Sequence, residues 1–585
     1  MNRRKFLKTA TECLGAVGLG VHAFVPRSAW GAAVDAGTGL IGESEIYLNQ
    51  IGFLPSRAKA ATIRARTSSF LVQSVTSNSV VFRADLQAPR FDPDSGDRVQ
   101  IADFSALKTP GEYLLHLDTG AVSDPFSISE DIYQHALWLT MRAFYGQRCG
   151  CEVNLGGGYT HPECHLHAAY HSSSGKKGHL KNHGGWHDAG DYGRYSVNSG
   201  ITTGTLLWAW EMYGASLNTL NLQIPESGGS IPDFLAEIQW NMEWMLTLQD
   251  QDGGVWQKQT SEQFCPFVMP QDDHAISYVI GTGAAPYKST GATADFAAVM
   301  AIAARCYSAC APKFAQHCLE SARTAWAWCQ KYPDVTFRNP AGIGTGQYGD
   351  SDCQDEIAWA AAELWRTTGE EQFHRAFLAM LPQSLDTLQI EAPTWNAVGS
   401  LAYWSYALAG EKTPDATVAA IQMATLKTAQ KLLHQSAENG YGNTLAHRDY
   451  IWGSNGVAAN HSLLLLLANH FQPDPALVDG ALNNLHYLLG RNCLGISWVT
   501  QLGVRSFQHP HHRPSIADHI AAPWPGLLSG GPNAHPADRI AMALPQAPPM
   551  RMYVDNDQAP SMNEVAINWN APLVFLLAAA HSLRT

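Results

Sequence analysis

The sequence predicts an all-α (α/α)6 barrel preceded by a small all-β sandwich. Three observations support this fold class. Short strand-like segments separated by turn residues fill the region before residue 130, helical periodicity begins at Ile132, and long and short connections then alternate. A chain of 585 residues is also too long for one compact domain of usual size.

Residues 43–128 predict the sandwich, because six apolar, β-branched or aromatic segments lie there between Gly, Pro, Ser and Asp turns. The segments are 46–48, 60–63, 70–72, 80–82, 99–101 and 113–117. Strands this short and this closely spaced are typical of a β-sandwich of about 85 residues.

Residues 132–585 predict twelve helices. Pro232 and Asp233 stand at first-turn positions, as does Pro475, and Thr293 is a candidate N-cap. The predicted helices are 132–148, 201–213, 232–248, 293–310, 313–331, 353–367, 370–380, 398–408, 414–435, 457–469, 475–489 and 563–581.

The connections between these helices have two lengths. Those after helices 4, 6, 8 and 10 have two to five residues, those after helices 1, 3, 5, 7, 9 and 11 have 17 to 73, and the 18-residue link after helix 2 is the exception. Consecutive antiparallel helices place alternate loops at opposite ends, so we expect the long loops to gather at one end. Long ordered loops are usually functional. The pattern predicts six inner and six outer helices with the site at the long-loop end.

Composition narrows the class of partner. Apolar residues make up 45 % and charged residues 15 % of the chain, which is globular. A net charge of −13, without a long basic run after the first ten residues, disfavours nucleic acid and anionic membranes as partners. A neutral substrate and a monomeric protein are expected. The 18 Trp and 20 Tyr suit sugar rings, but they are also ordinary core residues.

Residues 1–33 predict a twin-arginine signal peptide. Arg3 and Arg4 precede a weakly apolar run over 13–25 and a small-residue stretch over 28–33. The apolar run is too short to span a bilayer. We expect export to the periplasm or the medium, with no membrane contact in the mature form. A disordered basic tail is the alternative.

Three acidic residues in the long loops suit glycoside cleavage. Asp188 and Asp191 lie three apart among glycines, and Glu564 stands where helix 12 is predicted to begin. Glycoside cleavage needs one carboxyl group to protonate the leaving oxygen and another to handle water or attack the sugar. Alternatively, the aspartates form a turn that caps helix 2, and Glu564 is a first-turn acid favoured by the helix dipole.

Three ordered motifs resemble the signatures of glycoside hydrolase family 9, the inverting endoglucanases. They are Gly-Gly-Trp-His-Asp-Ala-Gly-Asp-Tyr at 184–192, Pro-His-His-Arg at 510–513, and Asp555 followed by Asn-Glu-Val-Ala-Ile-Asn-Trp-Asn at 563–570. Leu-Asn-Gln-Ile-Gly-Phe and Pro-Gly-Glu-Tyr, starting at Leu48 and Pro110, resemble the immunoglobulin-like module that precedes some catalytic domains of the family. The resemblance spans about residues 44 to 582.

The resemblance implies roles for four carboxylates. Asp191 would be the general base that activates water, Asp188 would help to hold that water, and Glu564 would be the general acid. Asp555 would be a supporting carboxylate near the acid. A glutamic acid serves as proton donor only if burial or a nearby negative charge, such as Asp555, raises its pKa.

The resemblance also implies sugar contacts. His511 and Arg513 would contact the sugar next to the scissile bond, and Trp452 and Trp256 would be stacking platforms. For each tryptophan the alternative is a loop-anchoring core residue. Some family members carry an arginine where this chain has Gly456, so the contacts at that subsite differ.

A zinc site is predicted beside the aspartate motif. Cys149, Cys164, His165 and His187 would form a tetrahedral structural site, which the resemblance also implies at matching positions. Cys151 is a rival ligand, and a disulfide between Cys151 and Cys164 is the main alternative.

A calcium site is predicted where helix 6 opens. Hard oxygen ligands at this spacing suit Ca²⁺, and the resemblance implies such a site. Ordinary N-capping acids are the alternative, and no organic cofactor is expected. The predicted ligands are Ser351, Asp352, Asp355, Glu356 and Asn396.

The leading functional interpretation is an endo-β-1,4-glucanase, a cellulase, acting on cellulose or a related β-glucan. An exo-acting β-glucosidase or exo-β-glucosaminidase on short oligosaccharides is the alternative with the same fold, because the long loop 11–12 could close one end of the cleft. Two other classes are a non-catalytic glycan-binding protein and a zinc-dependent hydrolase that uses the histidine cluster.

Overall fold

The structure is a computed structural model that describes residues 44–180, 184–410 and 415–584. These residues belong to one compact unit. The predicted signal peptide lies outside the described residues. Within the described ranges, no helix combines the length and apolar character that crossing a membrane requires.

The N-terminal part is a sandwich of two sheets. One sheet has the order β1-β3-β7-β6, and the other has the order β2-β9-β8-β4-β5. Their facing side chains, among them Phe53, Phe70 and Leu115, form a separate hydrophobic core. The described strands are β1 (Ile46–Tyr47), β2 (Gly52–Phe53), β3 (Ala60–Ile63), β4 (Ser69–Ser74), β5 (Val80–Asp85), β6 (Arg90–Asp92), β7 (Asp97–Asp103), β8 (Gly111–Leu117) and β9 (Phe126–Ile128).

Each of the twelve predicted helices is present. Three one-turn helices, which the sequence did not predict, lie in the last long connection. The helices are α1 (Gln134–Gly146), α2 (Ser196–Leu217), α3 (Asp233–Thr247), α4 (Thr290–Cys306), α5 (Pro312–Lys331), α6 (Gln354–Thr368), α7 (Glu371–Ala379), α8 (Gly399–Ala407), α9 (Asp415–Glu438), α10 (Ser454–Phe471), α11 (Pro475–Leu488), α12 (Arg513–Ala517), α13 (Arg539–Met542), α14 (Pro560–Asn563) and α15 (Ile567–Ser582).

The helices form a ring with an inner and an outer layer. Among the inner helices α2 packs on α4, α4 on α6 and α6 on α8, while α10 packs on α15 and α15 returns to α2. Each of α4, α10 and α15 is buried on nearly all sides, as expected of helices without a polar face. The last helix therefore closes the ring against the first inner helix.

Several helix starts differ from the prediction by two to five residues, and two of them concern residues discussed above. Helix α4 begins at Thr290, and Thr293 lies inside it with Oγ1 donating to the Ser289 carbonyl at 2.7 Å. Helix α15 begins at Ile567, so Glu564 precedes it in an extended conformation with φ −63° and ψ 152°. The interpretation of Glu564 as a first-turn acid stabilised by the helix dipole is therefore wrong.

The long connections contain sheet structure that the sequence did not predict, because these strands are short and polar. A five-stranded sheet, ordered β13-β12-β16-β15-β14, joins the α1–α2 connection to the α3–α4 connection. The strands of these connections are β10 (Val153–Asn154), β11 (Thr160–His161), β12 (Ala168–Tyr170), β13 (His179–Leu180), β14 (Arg194–Tyr195), β15 (Lys258–Thr260) and β16 (Ser277–Ile280).

Candidate active site

A cavity of about 680 Å³ opens at the long-loop end of the ring. Its volume is in the range of small-ligand sites. Each of the six long connections supplies part of its wall, which confirms the expectation that these loops gather at one end. The lining residues are Asp188, Ala189, Asp191, Tyr195, Phe264, 344–349, Trp395, Trp452, His511, Arg513, Pro560 and Glu564.

Asp188 is fixed by two hydrogen bonds. Its side chain is buried, with Oδ1 accepting from Asn198 Nδ2 at 2.6 Å and Oδ2 accepting from the Tyr348 hydroxyl at 2.7 Å. Burial and the nearby charge of Asp191 raise the pKa of Asp188 to about 7. Asp188 is therefore held in one orientation in a region of concentrated negative charge.

Asp191 lies three residues after Asp188 in the same loop, and its two protein donors both bond to one carboxylate oxygen. Its Oδ2 accepts from the Gly193 amide at 2.9 Å and from the Tyr195 hydroxyl at 3.2 Å. Within the described residues Oδ1 has no protein donor, which suits a carboxylate that binds water. A Cβ at position 193 would lie 2.6 Å from Asp191 Oδ2, so this contact requires glycine.

Glu564 has the protonation expected of a general acid. Burial and the charges of Asp191 and Asp188 raise its pKa to about 8, against the opposing effects of Trp452 and Arg513. Trp452 Nε1 donates to Glu564 Oε2 at 3.0 Å. The carboxyl group is therefore protonated at neutral pH and lies in the same cavity as Asp191.

Asp555 acts on the backbone and does not line the cavity. It accepts from the amides of Gln508 and His509 at 2.7 and 2.8 Å and from Asn563 Nδ2 at 3.2 Å. The condition for a proton donor is met mainly by burial of Glu564 and by the charges of Asp191 and Asp188; a supporting role of Asp555 stays a prediction.

Main-chain hydrogen bonds join the three sequence motifs. His511 N donates to the Asn563 carbonyl at 2.9 Å, Arg513 N to the Gly190 carbonyl at 3.1 Å, and Ile567 N to the Asp188 carbonyl at 2.9 Å. A Cβ at position 190 would lie 1.7 Å from the His511 carbonyl oxygen, so only glycine permits this approach. The relative positions of the acid and the aspartates are thus set by the backbone.

His511 and Arg513 both line the cavity, as predicted, but each also contacts protein groups. His511 Nδ1 lies 2.6 Å from the Asp557 carbonyl oxygen. The Arg513 guanidinium donates to the Gly190 carbonyl at 2.8 Å and twice to the Cys265 carbonyl, at 3.0 and 2.9 Å. Arg513 therefore braces the aspartate loop.

The two predicted stacking tryptophans differ in exposure. Trp452 lines the cavity with 41 % exposure, whereas Trp256 is only 2 % exposed, and its Nε1 donates to the Ser174 carbonyl at 3.1 Å. The prediction of Trp256 as a stacking platform is wrong, because its indole is buried and anchors a loop. A Cβ at Gly456 would lie 2.4 Å from Trp569, so this position has no room for an arginine.

Four aromatic residues of the cavity wall were not predicted from the sequence. Tyr195 and Tyr348 hydrogen-bond to the two aspartates, and Phe264 and Trp395 also line the cavity. They lie one each in the α1–α2, α3–α4, α5–α6 and α7–α8 connections, and Tyr348 directly precedes Gly349. An aromatic residue inside a long loop was the available signal.

The four predicted zinc ligands come together. The ligand atoms of Cys149, Cys164, His165 and His187 all lie within 4.8 Å of one another. Cys149 Sγ is 3.8 Å from His165 Nδ1, and Cys164 Sγ is 3.9 Å from His187 Nε2. His165 Nε2 is 3.2 Å from Asp273 Oδ2, the kind of carboxylate that orients a metal-binding imidazole. The donor set fits a structural metal site directly before Asp188.

Cys151 stands outside this group. Cys151 and Cys164 are both free thiols, so the alternative of a disulfide between them is contradicted. Burial raises the pKa of the Cys151 thiol to about 12, which disfavours the thiolate that a metal would bind.

The five predicted calcium ligands are less close together. Ser351, Asp352 and Asn396 are exposed, and Glu356 is buried. Asp352 Oδ1 accepts from the Gln354 amide at 3.1 Å, and Asp355 Oδ2 accepts from the Val398 amide at 2.7 Å. Within the described residues the three acidic members do not form a cluster of converging ligand atoms. Calcium stays a prediction.

A helical ring with three carboxyl groups in one loop-built cavity has the architecture of a carboxyl-dependent glycosidase. The family profile described as Glycosyl hydrolase family 9 matches residues 133–577, and that described as Cellulase N-terminal ig-like domain matches residues 42–121. The chain therefore belongs to glycosyl hydrolase family 9 and carries an N-terminal immunoglobulin-like domain.

Individual relatives cover nearly the whole chain. Endoglucanase D of Acetivibrio thermocellus is 36 % identical over 547 residues, which are 92 % of this chain and 83 % of the relative. A cellodextrinase of Butyrivibrio fibrisolvens is 32 % identical over 556 residues, 91 % of this chain and 99 % of the relative. The crystal structure of a Zn-binding triple mutant of GH family 9 endoglucanase J30 has a TM-score of 0.84 at 32 % identity and covers 90 % of this chain and 99 % of its own.

Proposed function

We propose that the protein hydrolyses β-1,4-glucosidic bonds in cellulose or related β-glucans with inversion, with Asp191 as general base and Glu564 as general acid. The observation behind this proposal is that Glu564, whose pKa is raised to about 8, shares one cavity with Asp191. The similarity to Endoglucanase D supports the choice of substrate.

The proposed reaction is a single displacement at the anomeric carbon. Glu564 gives its proton to the glycosidic oxygen as the bond from the anomeric carbon to that oxygen breaks. A water molecule bound by Asp191 and Asp188 attacks the opposite face and gives a proton to Asp191. The carboxyl groups of an inverting pair stand about 6.5–9.5 Å apart, because the water lies between base and sugar.

The tyrosines keep the aspartates ready for this step. The hydrogen bond from Tyr348 orients Asp188, and that from Tyr195 occupies only Oδ2 of Asp191. Oδ1 of Asp191 is thus left to accept a proton from water. Trp452 and Trp395 supply flat apolar surfaces in the cavity wall, which suit the faces of glucose rings.

The test is the configuration of the first product. We expect wild-type protein to release the α-anomer from cellopentaose, as followed by proton NMR, and Asp191→Asn and Glu564→Gln to abolish release. The matched control is Glu363→Gln, which alters another buried glutamate and should leave the product unchanged. Initial release of the β-anomer, or unchanged hydrolysis by Glu564→Gln, would contradict the mechanism.

An exo-acting enzyme on short oligosaccharides is the second candidate. The similarity to a cellodextrinase over 99 % of that relative favours it. An endo-enzyme lowers the viscosity of soluble cellulose long before reducing ends accumulate, whereas an exo-enzyme releases reducing ends with little loss of viscosity. Chitosan oligomers in the same assay separate a glucosaminidase from a glucanase.

We also propose that the metal held by Cys149, Cys164, His165 and His187 is structural zinc. Two thiolates and two imidazoles fit tetrahedral Zn²⁺, and a family 9 neighbour was solved in a Zn-binding form. When bound, the ion would brace the segment that leads into Asp188. Cys151, two residues after the proposed ligand Cys149, offers a matched control.

The zinc proposal predicts that metal content, stability and activity fall together. We expect Cys164→Ser to lose about one zinc per chain by elemental analysis, with a lower melting temperature, and Cys151→Ser to keep both. A chelator that abolishes hydrolysis without lowering the melting temperature would instead indicate a catalytic metal.

Calcium at the start of α6 is a further proposal, centred on Glu356. Both carboxylate oxygens of Asp295, Oδ2 of Asp350 and Oε2 of Glu356 are buried without hydrogen-bond partners within the described residues. Burial and Asp295 raise the pKa of Glu356 to about 11, and a hard cation would offset this repulsion. We expect Ca²⁺ to raise the melting temperature of EGTA-treated protein but not of Glu356→Gln; no shift in the wild type would refute the proposal.

Export through the twin-arginine route is proposed from the sequence of residues 1–33. Such substrates cross the membrane folded, which would allow metal loading beforehand. Replacing Arg3 and Arg4 by Lys should keep the protein in the cytoplasm in fractionation experiments, and unchanged export would exclude the route.

A further inference from the structure

Lys258 is a buried cation that lies behind both catalytic aspartates. Strand β14 pairs antiparallel with β15, and Tyr195 is directly opposite Lys258. Lys258 is 0 % exposed, and its Nζ lies 5.6 Å from the centre of the Tyr195 ring. Tyr195 in turn donates to Asp191.

The Lys258 ammonium donates hydrogen bonds to the loop that forms one wall of the cavity. Nζ donates to Asn339 Oδ1 at 2.8 Å, to Thr345 Oγ1 at 3.0 Å and to the Gly346 carbonyl at 2.7 Å, with the Thr345 carbonyl at 3.3 Å. An ammonium has three N–H donors and no acceptor, so this ring of oxygens satisfies it. Its neighbour Gln257 donates to the Tyr348 carbonyl at 2.6 Å.

The loop held in this way is strained at the residue that contacts Asp188. Tyr348 has a φ of +43°, in the left-handed region that residues other than glycine seldom adopt. Such a conformation persists only where the surroundings enforce it, and it is concentrated at functional sites. The strain places the Tyr348 hydroxyl 2.7 Å from Asp188 Oδ2.

We propose that Lys258 is a positioning residue for the hydrolysis: it holds the 344–349 loop in the strained conformation in which Tyr348 orients Asp188, while it supports Tyr195 against Asp191. The inference rests on the proposed function, and it deepens it by naming the group that fixes both aspartates from outside the cavity.

The electrostatics of Lys258 agree with this role. Within the described residues no carboxylate lies within ion-pair distance of Nζ, so its partners are neutral oxygens. Burial lowers the pKa of Lys258 to about 7, and Asp191 is the charge that opposes this lowering. Burial alone does not distinguish Lys258 from other buried lysines; its place beside Tyr195 and the 344–349 loop does.

Lys59 provides a matched control. It is also 0 % exposed, and its Nζ donates to the carbonyls of Leu54, Pro55 and Arg57 at 3.3, 2.8 and 2.7 Å. It lies beside β3 in the sandwich, away from the residues that line the cavity. Lys59→Met should lower the melting temperature and leave kcat unchanged.

The experiment is a double-mutant cycle between Lys258 and Tyr348. We expect Lys258→Met to lower kcat on a soluble β-glucan about 100-fold, the effect of a misplacement near 1 Å, with a smaller change in KM. In the Tyr348→Phe background, Lys258→Met should lower kcat much less than about 100-fold, because the hydrogen bond from Tyr348 to Asp188 is already gone and only the support of Tyr195 is left to lose. Rates are measured well below the melting temperature of each variant.

Several outcomes overturn the inference. A wild-type kcat in Lys258→Met overturns the inference, because the lysine is then purely structural. A loss in Lys258→Met that multiplies fully with the loss in Tyr348→Phe also overturns it, because the two residues then act independently. If Lys258→Met does not fold, Asn339→Ala replaces it; it should lower kcat less, also only when Tyr348 is present, and an unchanged kcat refutes the role. A wild-type protein inactive on every β-glucan overturns the proposed function itself, whereas additive losses in an active enzyme overturn only this inference.

Discussion

The two ends of the helical ring both bury carboxyl groups, but they treat them in opposite ways. At the short-loop end, Arg305 lies between Glu211 and Glu363, with N–O distances of 2.8 and 2.6 Å, and Arg366 adds a second contact to Glu211 at 2.9 Å. At the long-loop end, Asp188, Asp191 and Glu564 face one cavity, and the cation beside them, Arg513, donates to backbone carbonyls.

The difference shows in the protonation of the acids. Burial alone would raise the pKa of Glu211, but Arg305 and Arg366 outweigh it and hold the pKa below its usual value. At the other end burial and like charges act together, and the pKa of Glu564 reaches about 8. The ring therefore pairs its buried carboxylates with arginines at the short-loop end. At the long-loop end Glu564 is protonated, as the proposed proton donor must be.

Of the variants that test this comparison, Glu564→Gln should have the largest effect, a loss of activity. We expect kcat to fall by a factor of about 10³ to 10⁴, because an amide has no proton to give to the leaving oxygen. Reducing-sugar release measures the loss. Glu363→Gln is the control and should keep a nearly wild-type kcat. An equal loss of kcat in both variants would show that buried glutamates at the two ends of the ring do not differ in their roles.

Glu363→Gln should instead lower stability. The Glu363 carboxylate also accepts from Trp208 Nε1 at 3.0 Å, and neutralising it removes one of the two carboxylate charges beside Arg305. The free energy of unfolding should drop by about 3 kcal/mol, as measured by urea denaturation. Stability equal to that of Glu564→Gln would contradict the division of roles.

Trp452→Phe tests what controls the protonation of Glu564. It keeps an aromatic surface but removes the Nε1 donor that lowers the pKa of Glu564. The alkaline limb of kcat/KM, expected near pH 8 in the wild type, should move to higher pH. An unmoved or lowered limb in the pH profile would show that this hydrogen bond does not control the acid.

The last prediction is a pH-dependent difference in melting temperature. Because the native state raises the pKa of Glu564 from 4.5 to about 8, it binds a proton that the unfolded chain has already released, and it loses stability as the pH rises between these values. Glu564→Gln has no such titration. Its melting temperature should therefore gain on the wild type from pH 5 to pH 8 and stay level above it; a constant difference would contradict the raised pKa.

Much of this architecture follows from the sequence, because apolar periodicity and loop lengths are local properties. The twelve helices and the gathering of the long loops could be predicted in this way, and so could the motifs around Asp188, Asp191 and Glu564, which a family resemblance made visible. The cluster of Cys149, Cys164, His165 and His187 also came from residue types that stand out in a sequence.

Tertiary packing decided the rest. Trp256 and Trp452 look alike as loop tryptophans, and only the structure shows that one indole is buried. Tyr348 could not be predicted as a partner of Asp188, because Gln257, far away in sequence, bonds its carbonyl and Lys258 bonds the preceding residues Thr345 and Gly346. The charges that raise the pKa of Glu564, Asp191 and Asp188, lie more than 300 residues earlier in the sequence, and only the fold brings them close.

The packing of α15 on α2 has a consequence for how the protein comes into being. The proposed base Asp191 and the four candidate metal ligands are synthesised early, whereas Glu564 and α15, which closes the ring, come much later in the sequence. A nascent or C-terminally truncated polypeptide would have a place for water but no proton donor. On the proposed mechanism, catalytic competence thus waits until α15 has been synthesised and has packed on α2, and a chain cut before Glu564 would be inactive.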